Sequence, residues 1–146
     1  MRLLFLLSMS ALLWGCFEQG ECLDQTSDQV SLRFFNKSDL RERTVEIDSI
    51  LVSGLPGARH KVSQLSSVTV PLDPLMSEST VTIYQPGAIA VITLTYTTQS
   101  TLLDPACGAA ELFTLRGIQA QGIDSVRIVQ SILSNVSTSE HVRLYF

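Results

Sequence analysis

The sequence is poor in the residues on which most enzyme chemistry depends. Its 146 residues hold two histidines, His60 and His141, three cysteines, Cys16, Cys22 and Cys107, and one tryptophan, Trp14. A protein metal site needs three or four ligands in close array. The two histidines lie 81 positions apart, and neither an HExxH nor a CxxC pairing is present, so no metal and no cofactor is predicted. The G-x-S-x-G elbow of a serine hydrolase is missing, as is any glycine-rich phosphate loop. Basic residues are scarce as well. Ten Lys and Arg stand against fourteen Asp and Glu, with no basic cluster along the chain. Such a balance attracts neither phosphate backbones nor anionic lipid heads, so nucleic acid is excluded as the expected partner. No apolar run reaches the roughly 18–20 residues that span a bilayer as a helix.

The longest apolar run opens the chain, in MRLLFLLSMSALLWGC. Arg2 supplies a positive start, and Leu3 to Leu13 form an apolar stretch broken by Ser8 and Ser10. Its length and flanks fit a secretory signal over residues 1–15. Leu13-Trp14-Gly15-Cys16 resembles a lipobox, with Leu three places before the cysteine, a small residue directly before it, and Trp14 as the departure from the pattern. Cleavage there leaves Cys16 as a lipid-bearing first residue. Two or three acyl chains, at ~0.8 kcal/mol per buried methylene, hold a protein to a membrane that it does not span. Phe17 follows, in place of the aspartate that retains some lipoproteins in the inner membrane, which favours the outer membrane.

Once Cys16 is assigned to lipid, Cys22 and Cys107 remain. Beyond the inner membrane the environment is oxidising, so this even remainder reads as one disulfide. Closing so long a loop stabilises a fold by ~4.5 kcal/mol in the chain-entropy account. The alternative is Cys107 as a reactive thiol with His141 as its base, which needs an activated thiolate that nothing in the sequence supplies.

Removing residues 1–15 takes away only Arg2, leaving nine basic against fourteen acidic residues, a net charge of −5, on a chain sized for a single core. Residues 16–29 are polar and acidic and read as the lipidated end and a tether; residues 30–146 form the domain. There the apolar residues alternate. Val30, Leu32 and Phe34 mark one strand, with Phe35 the aromatic that the alternation turns outward. Thr44–Val52 changes phase near Asp48-Ser49, which suggests a bulge. Val68, Val70 and Leu72 follow, then Thr80–Tyr84 and Ala90–Thr98, with Ile92, Leu94 and Tyr96 on one face and threonines on the other. Residues 110–118, Ser125–Leu133 and His141–Phe146 complete about seven or eight short strands separated by turns. The pattern predicts an all-β fold, a single antiparallel β-sandwich, Ig-like or similar, with a small barrel as the alternative.

The lipobox cysteine with a second cysteine six residues on, the strand Val30–Phe35, the turn Ala106-Cys107-Gly108 and the closing His141-Val142-Arg143-Leu144-Tyr145-Phe146 together resemble a family of uncharacterised Bacteroidota lipoproteins. Ala109 stands where members often carry an aromatic. The resemblance implies an envelope protein with a β-sandwich-like domain, and it brings no activity and no site residues.

Within the domain the chemistry-bearing candidates are few. His60 lies between Arg59 and Lys61 and reads as a solvated side chain, while His141 stands beside Glu140 at the head of the last strand. Glu46 and Asp48 alternate onto one face, as the acid pair of a glycosidase does, but acids so placed are more simply the wet face of a sheet. The sequons at Asn36 and Asn135 read as chance matches in a bacterial protein. The first expectation is a non-enzymatic envelope lipoprotein, anchored through Cys16, that binds another envelope protein. The second is a small-ligand or glycan-binding module. The third is a hydrolase, built on His141, Glu140 and a serine.

Overall fold

The computed structural model describes residues 27–54, 64–104, 108–133 and 140–146. The described residues contain no helix and form ten strands: β1 (Gln29–Phe35), β2 (Val45–Glu46), β3 (Ser49–Val52), β4 (Gln64–Leu65), β5 (Ser67–Pro71), β6 (Glu78–Gln85), β7 (Ala88–Asp104), β8 (Gly108–Gln121), β9 (Ser125–Ile128) and β10 (Val142–Tyr145). They divide into a sheet of order β5-β1-β10-β9, a second of order β3-β6-β7-β8, and the short pair β2-β4. The two four-stranded sheets enclose one apolar core in a sandwich-like arrangement, and the described strands do not close into a single barrel.

Side-chain alternation decides what enters that core. Val30, Leu32 and Phe34 of β1 are buried, as are Val68 and Val70 of β5 and Val142 and Leu144 of β10. From the other sheet come Ile50 and Val52, Val81 and Ile83, and the run Ala90, Ile92, Leu94 and Tyr96. Full burial of each Val, Leu, Ile or Phe side chain among these is worth ~1.5–3 kcal/mol.

Not every pairing is antiparallel. β1 and β10 run parallel, with Leu32 opposite Val142, Arg33 opposite Arg143, Phe34 opposite Leu144 and Phe35 opposite Tyr145. Adjacent alternation cannot reveal this, because strand direction follows from where the chain returns.

The phase change near Asp48 has a different cause from a bulge. Val45 pairs with Leu65 in the small sheet, whereas Ile50 pairs with Ile83 in the large one. The chain changes sheets between them, and Val45, Ile47, Ile50 and Val52 are all buried. A true bulge lies in β8. Thr95 pairs with Gly117 but Tyr96 with Leu115, leaving Arg116 as the extra residue. Phe113 and Leu115 thereby face the core on the same side as Ile118 and Ala120, although their spacing is out of phase.

β7 and β8 are longer than their alternation suggests. β6 stops pairing at Glu78 opposite Thr95, so the ends of β7 and β8 beyond it form a two-stranded arm. Tyr96 closes the core where this arm departs. Its ring packs 6.0 Å from that of Phe113, and its hydroxyl donates to the Asp73 carbonyl at 2.9 Å. Burial pushes the pKa of that hydroxyl up. Residues beyond Ile128 also leave the strand that sequence suggests, joining β8 only through a bridge from Ile132 to Thr114.

At the opposite end, Gly122 turns the chain from β8 into β9 with φ of 76°. A Cβ there would collide with the backbone carbonyl oxygen of Ile89, whereas a Cβ on Gly87, with φ of 75°, meets nothing within 4 Å. Gly122→Ala should therefore cost ~3 kcal/mol of stability, and Gly87→Ala only ~1 kcal/mol, the left-handed backbone strain alone. Urea unfolding midpoints compare the two. Equal losses would show that the Ile89 carbonyl yields and that the turn is not a tight constraint.

Candidate functional site

Among the described residues, those that sequence singles out are not gathered at one point. Cys16, Cys22, Cys107, His60 and the Asn135 sequon lie outside the described residues. Asn36 is half-buried at the end of β1, and its backbone N–H donates to the Arg41 carbonyl. Glu46 and Asp48 are both exposed, one on β2 and the other at the crossing between sheets. Among the described residues no three His, Cys, Asp or Glu side chains assemble as metal ligands.

His141 and Glu140 are sequence neighbours with separate partners. His141 precedes β10 and is buried at 4% exposure. Its Nδ1 accepts the backbone N–H of Ser31 at 3.0 Å, and the His141 backbone N–H donates to the Ser31 carbonyl at 3.2 Å. An imidazole that accepts at Nδ1 while neutral carries its proton on Nε2. That Nε2 is buried and has no partner among the described residues. One nitrogen is thus occupied and the other protonated, so the ring has no free lone pair with which to act as a base. Burial lowers its pKa and favours this neutral state. Glu140 turns instead to Arg143, its two carboxylate oxygens receiving Nε at 2.6 Å and a terminal NH2 group at 2.9 Å.

Arg143 belongs to an arrangement that linear sequence does not reveal. On the face of the β5-β1-β10-β9 sheet turned away from the core, Arg33 stands opposite Arg143, and Arg143 opposite Arg127. Three guanidinium-bearing residues therefore cross three neighbouring strands in one row. Adjacent strands are ~4.8 Å apart, so the row spans ~10 Å of backbone. Arg33 and Arg143 are half-buried and Arg127 is exposed. Among the described residues, Glu140 is the one carboxylate in ion-pair contact with the row.

The next row down is Phe35, Tyr145 and Ser125. Phe35 does face outward, as alternation predicts, but is only 8% exposed. The Arg143 guanidinium lies over its ring at 4.9 Å, and the Tyr145 ring stands at 5.9 Å. The Glu140 carboxylate, and after it the Tyr145 side chain, raise the already high pKa of the Arg143 guanidinium, which is charged at any physiological pH.

Each arginine sits between two inward apolar residues, in Leu32-Arg33-Phe34, Val126-Arg127-Ile128 and Val142-Arg143-Leu144. That triplet marks an outward arginine in sequence. Their alignment depends on strand pairing across separations of 110 and 16 positions, and so the chain shows no basic cluster while its fold builds one.

Comparison with protein families, with curated proteins and with solved structures finds no match for this chain.

The neutral state of His141 has a consequence for stability. Its folded pKa lies below the ordinary 6.5, so the unfolded chain takes up a proton that the folded chain refuses. Stability should therefore be indifferent to His141 above pH 6.5 and fall as pH drops below it. His141→Asn keeps an acceptor for the Ser31 N–H and does not titrate. Urea midpoints measured between neutral and mildly acidic pH should slope less in that variant than in the wild type. Identical slopes would mean that His141 is protonated in the fold as readily as in solution.

Proposed function

We propose that this chain is a lipid-anchored protein of the bacterial envelope whose β-sandwich serves as a binding module for another envelope protein. The observation that carries the reading is the register of Arg2, the apolar run Leu3–Leu13 and the sequence Leu13-Trp14-Gly15-Cys16. Charge, apolar length, small residue and cysteine fall where lipidation and cleavage require them. The anchor is Cys16, and the outer membrane is the favoured location, in keeping with the resemblance to Bacteroidota lipoproteins. A binding role is favoured over catalysis because the Nδ1 lone pair of His141 is taken by the Ser31 N–H, its Nε2 is buried, and Glu140 is held by Arg143.

The reading includes a disulfide between Cys22 and Cys107, and chain reach supports it. Ser27 donates its backbone N–H to the Leu133 carbonyl, and Leu133 donates to that of Phe113 on β8. Cys22 lies five residues before Ser27, and Cys107 six residues before Phe113. Extended segments of those lengths cover up to ~17 and ~20 Å, a combined reach that permits the pairing.

The intact mass of the membrane-extracted protein, with and without reduction, tests both parts. It should fit Cys16–Phe146 plus two or three acyl chains and rise by two hydrogens on reduction. An unlipidated mass would remove the anchor, and free thiols at Cys22 and Cys107 would remove the bridge.

A further inference from the structure

We infer that the outer face of the β5-β1-β10-β9 sheet, centred on Arg33, Arg143 and Arg127, docks an acidic segment of a partner protein. This rests on the reading of the domain as a binding module and adds to it a surface and a chemistry.

The first support is charge. The whole chain carries a net −4, yet three of its ten basic residues stand side by side in one row. Like charges directly opposite one another on neighbouring strands destabilise a sheet. Among the described residues Glu140 is the one carboxylate paired with the row, which leaves positive charges on Arg33 and Arg127 either side of the neutralised centre. An incoming pair of carboxylates removes the remaining repulsion, so the face is complementary to an acidic ligand in charge and in number.

The second support is the manner in which Glu140 already lies there. Its carboxylate meets Nε and a terminal NH2 of Arg143 side by side, the forked geometry that makes arginine selective for carboxylates and phosphates. Phe35 beneath the guanidinium and Tyr145 beside it give this site a fixed floor. A row only ~10 Å long offers two or three contacts, enough for a short acidic segment. Nucleic acid is held through a longer track of phosphate contacts.

The test uses the processed full-length protein in detergent and a fluorescent oligoglutamate peptide at low ionic strength, read by anisotropy. Arg33→Gln/Arg127→Gln should weaken binding about tenfold, a loss of 1.4 kcal/mol, and added salt should weaken wild-type binding. Arg116→Gln, at an exposed position on β8 in the other sheet, should leave binding unchanged. Urea midpoints no lower than wild type confirm that the variants remain folded. An equal loss in Arg116→Gln, or wild-type binding no tighter than that of the double variant, would overturn the inference. So would binding to phosphatidylglycerol vesicles, sensitive to Arg33 and Arg127, with oligoglutamate ignored, since the face would then belong to a lipid surface. Photo-cross-linkers placed on both sheets in intact envelopes separate this failure from that of the module itself. A specific partner captured only through the other sheet refutes the surface and keeps the module, whereas none captured from either refutes both.

Discussion

The parallel contact between β1 and β10 sets the register on which both faces of their sheet depend. Because successive side chains alternate, aligning Leu32 with Val142 and Phe34 with Leu144 on the core side necessarily aligns Arg33 with Arg143 on the other. A slip of one residue would carry apolar side chains into water and an arginine into the core. The buried face is therefore what holds the charged row in place. His141 reinforces the register at its upper end through paired contacts with the Ser31 backbone, and Phe146 at the lower end packs edge-on against Phe34 at 5.8 Å.

The second sheet is governed by another constraint, the departure of the β7–β8 arm from the core. The bulge at Arg116 brings Phe113 and Leu115 to the inner side, and Tyr96 then seals the place where β6 ends. Its hydroxyl reaches the Asp73 carbonyl, tying the link between β5 and β6 to the base of the arm. One buried aromatic thus serves two purposes. Its ring fills space against Phe113, and its polar end satisfies a carbonyl at the rim.

Much of this was legible in the sequence wherever a strand keeps a single phase. The runs Val30–Phe34, Val68–Leu72 and Ala90–Tyr96 point to the core as they stand, and turns such as Gln85-Pro86-Gly87 mark their ends. Legibility failed where phase changes, because the same irregularity has two causes. Around Asp48 it records a change of sheet, and around Arg116 a bulge within one strand. The arginine row was hidden for a different reason. Each member is recognisable as outward from its two apolar neighbours, but their meeting is a property of pairing between distant segments, and pairing leaves no local trace. Likewise, no residue type announces that Nδ1 of His141 is spent on a backbone amide.

The place of β10 in its sheet also bears on the order of events in the making of the protein. It follows every other described strand in the chain, yet lies between β1 and β9 rather than at an edge. Until residues 142–145 have been synthesised, β1 has no neighbour on that side, and β9 has none within its sheet. The half of the sandwich that they form stays open until β10 has been made. The strand order itself thus builds a delay into folding, since the strand that completes this sheet is made after the other described strands.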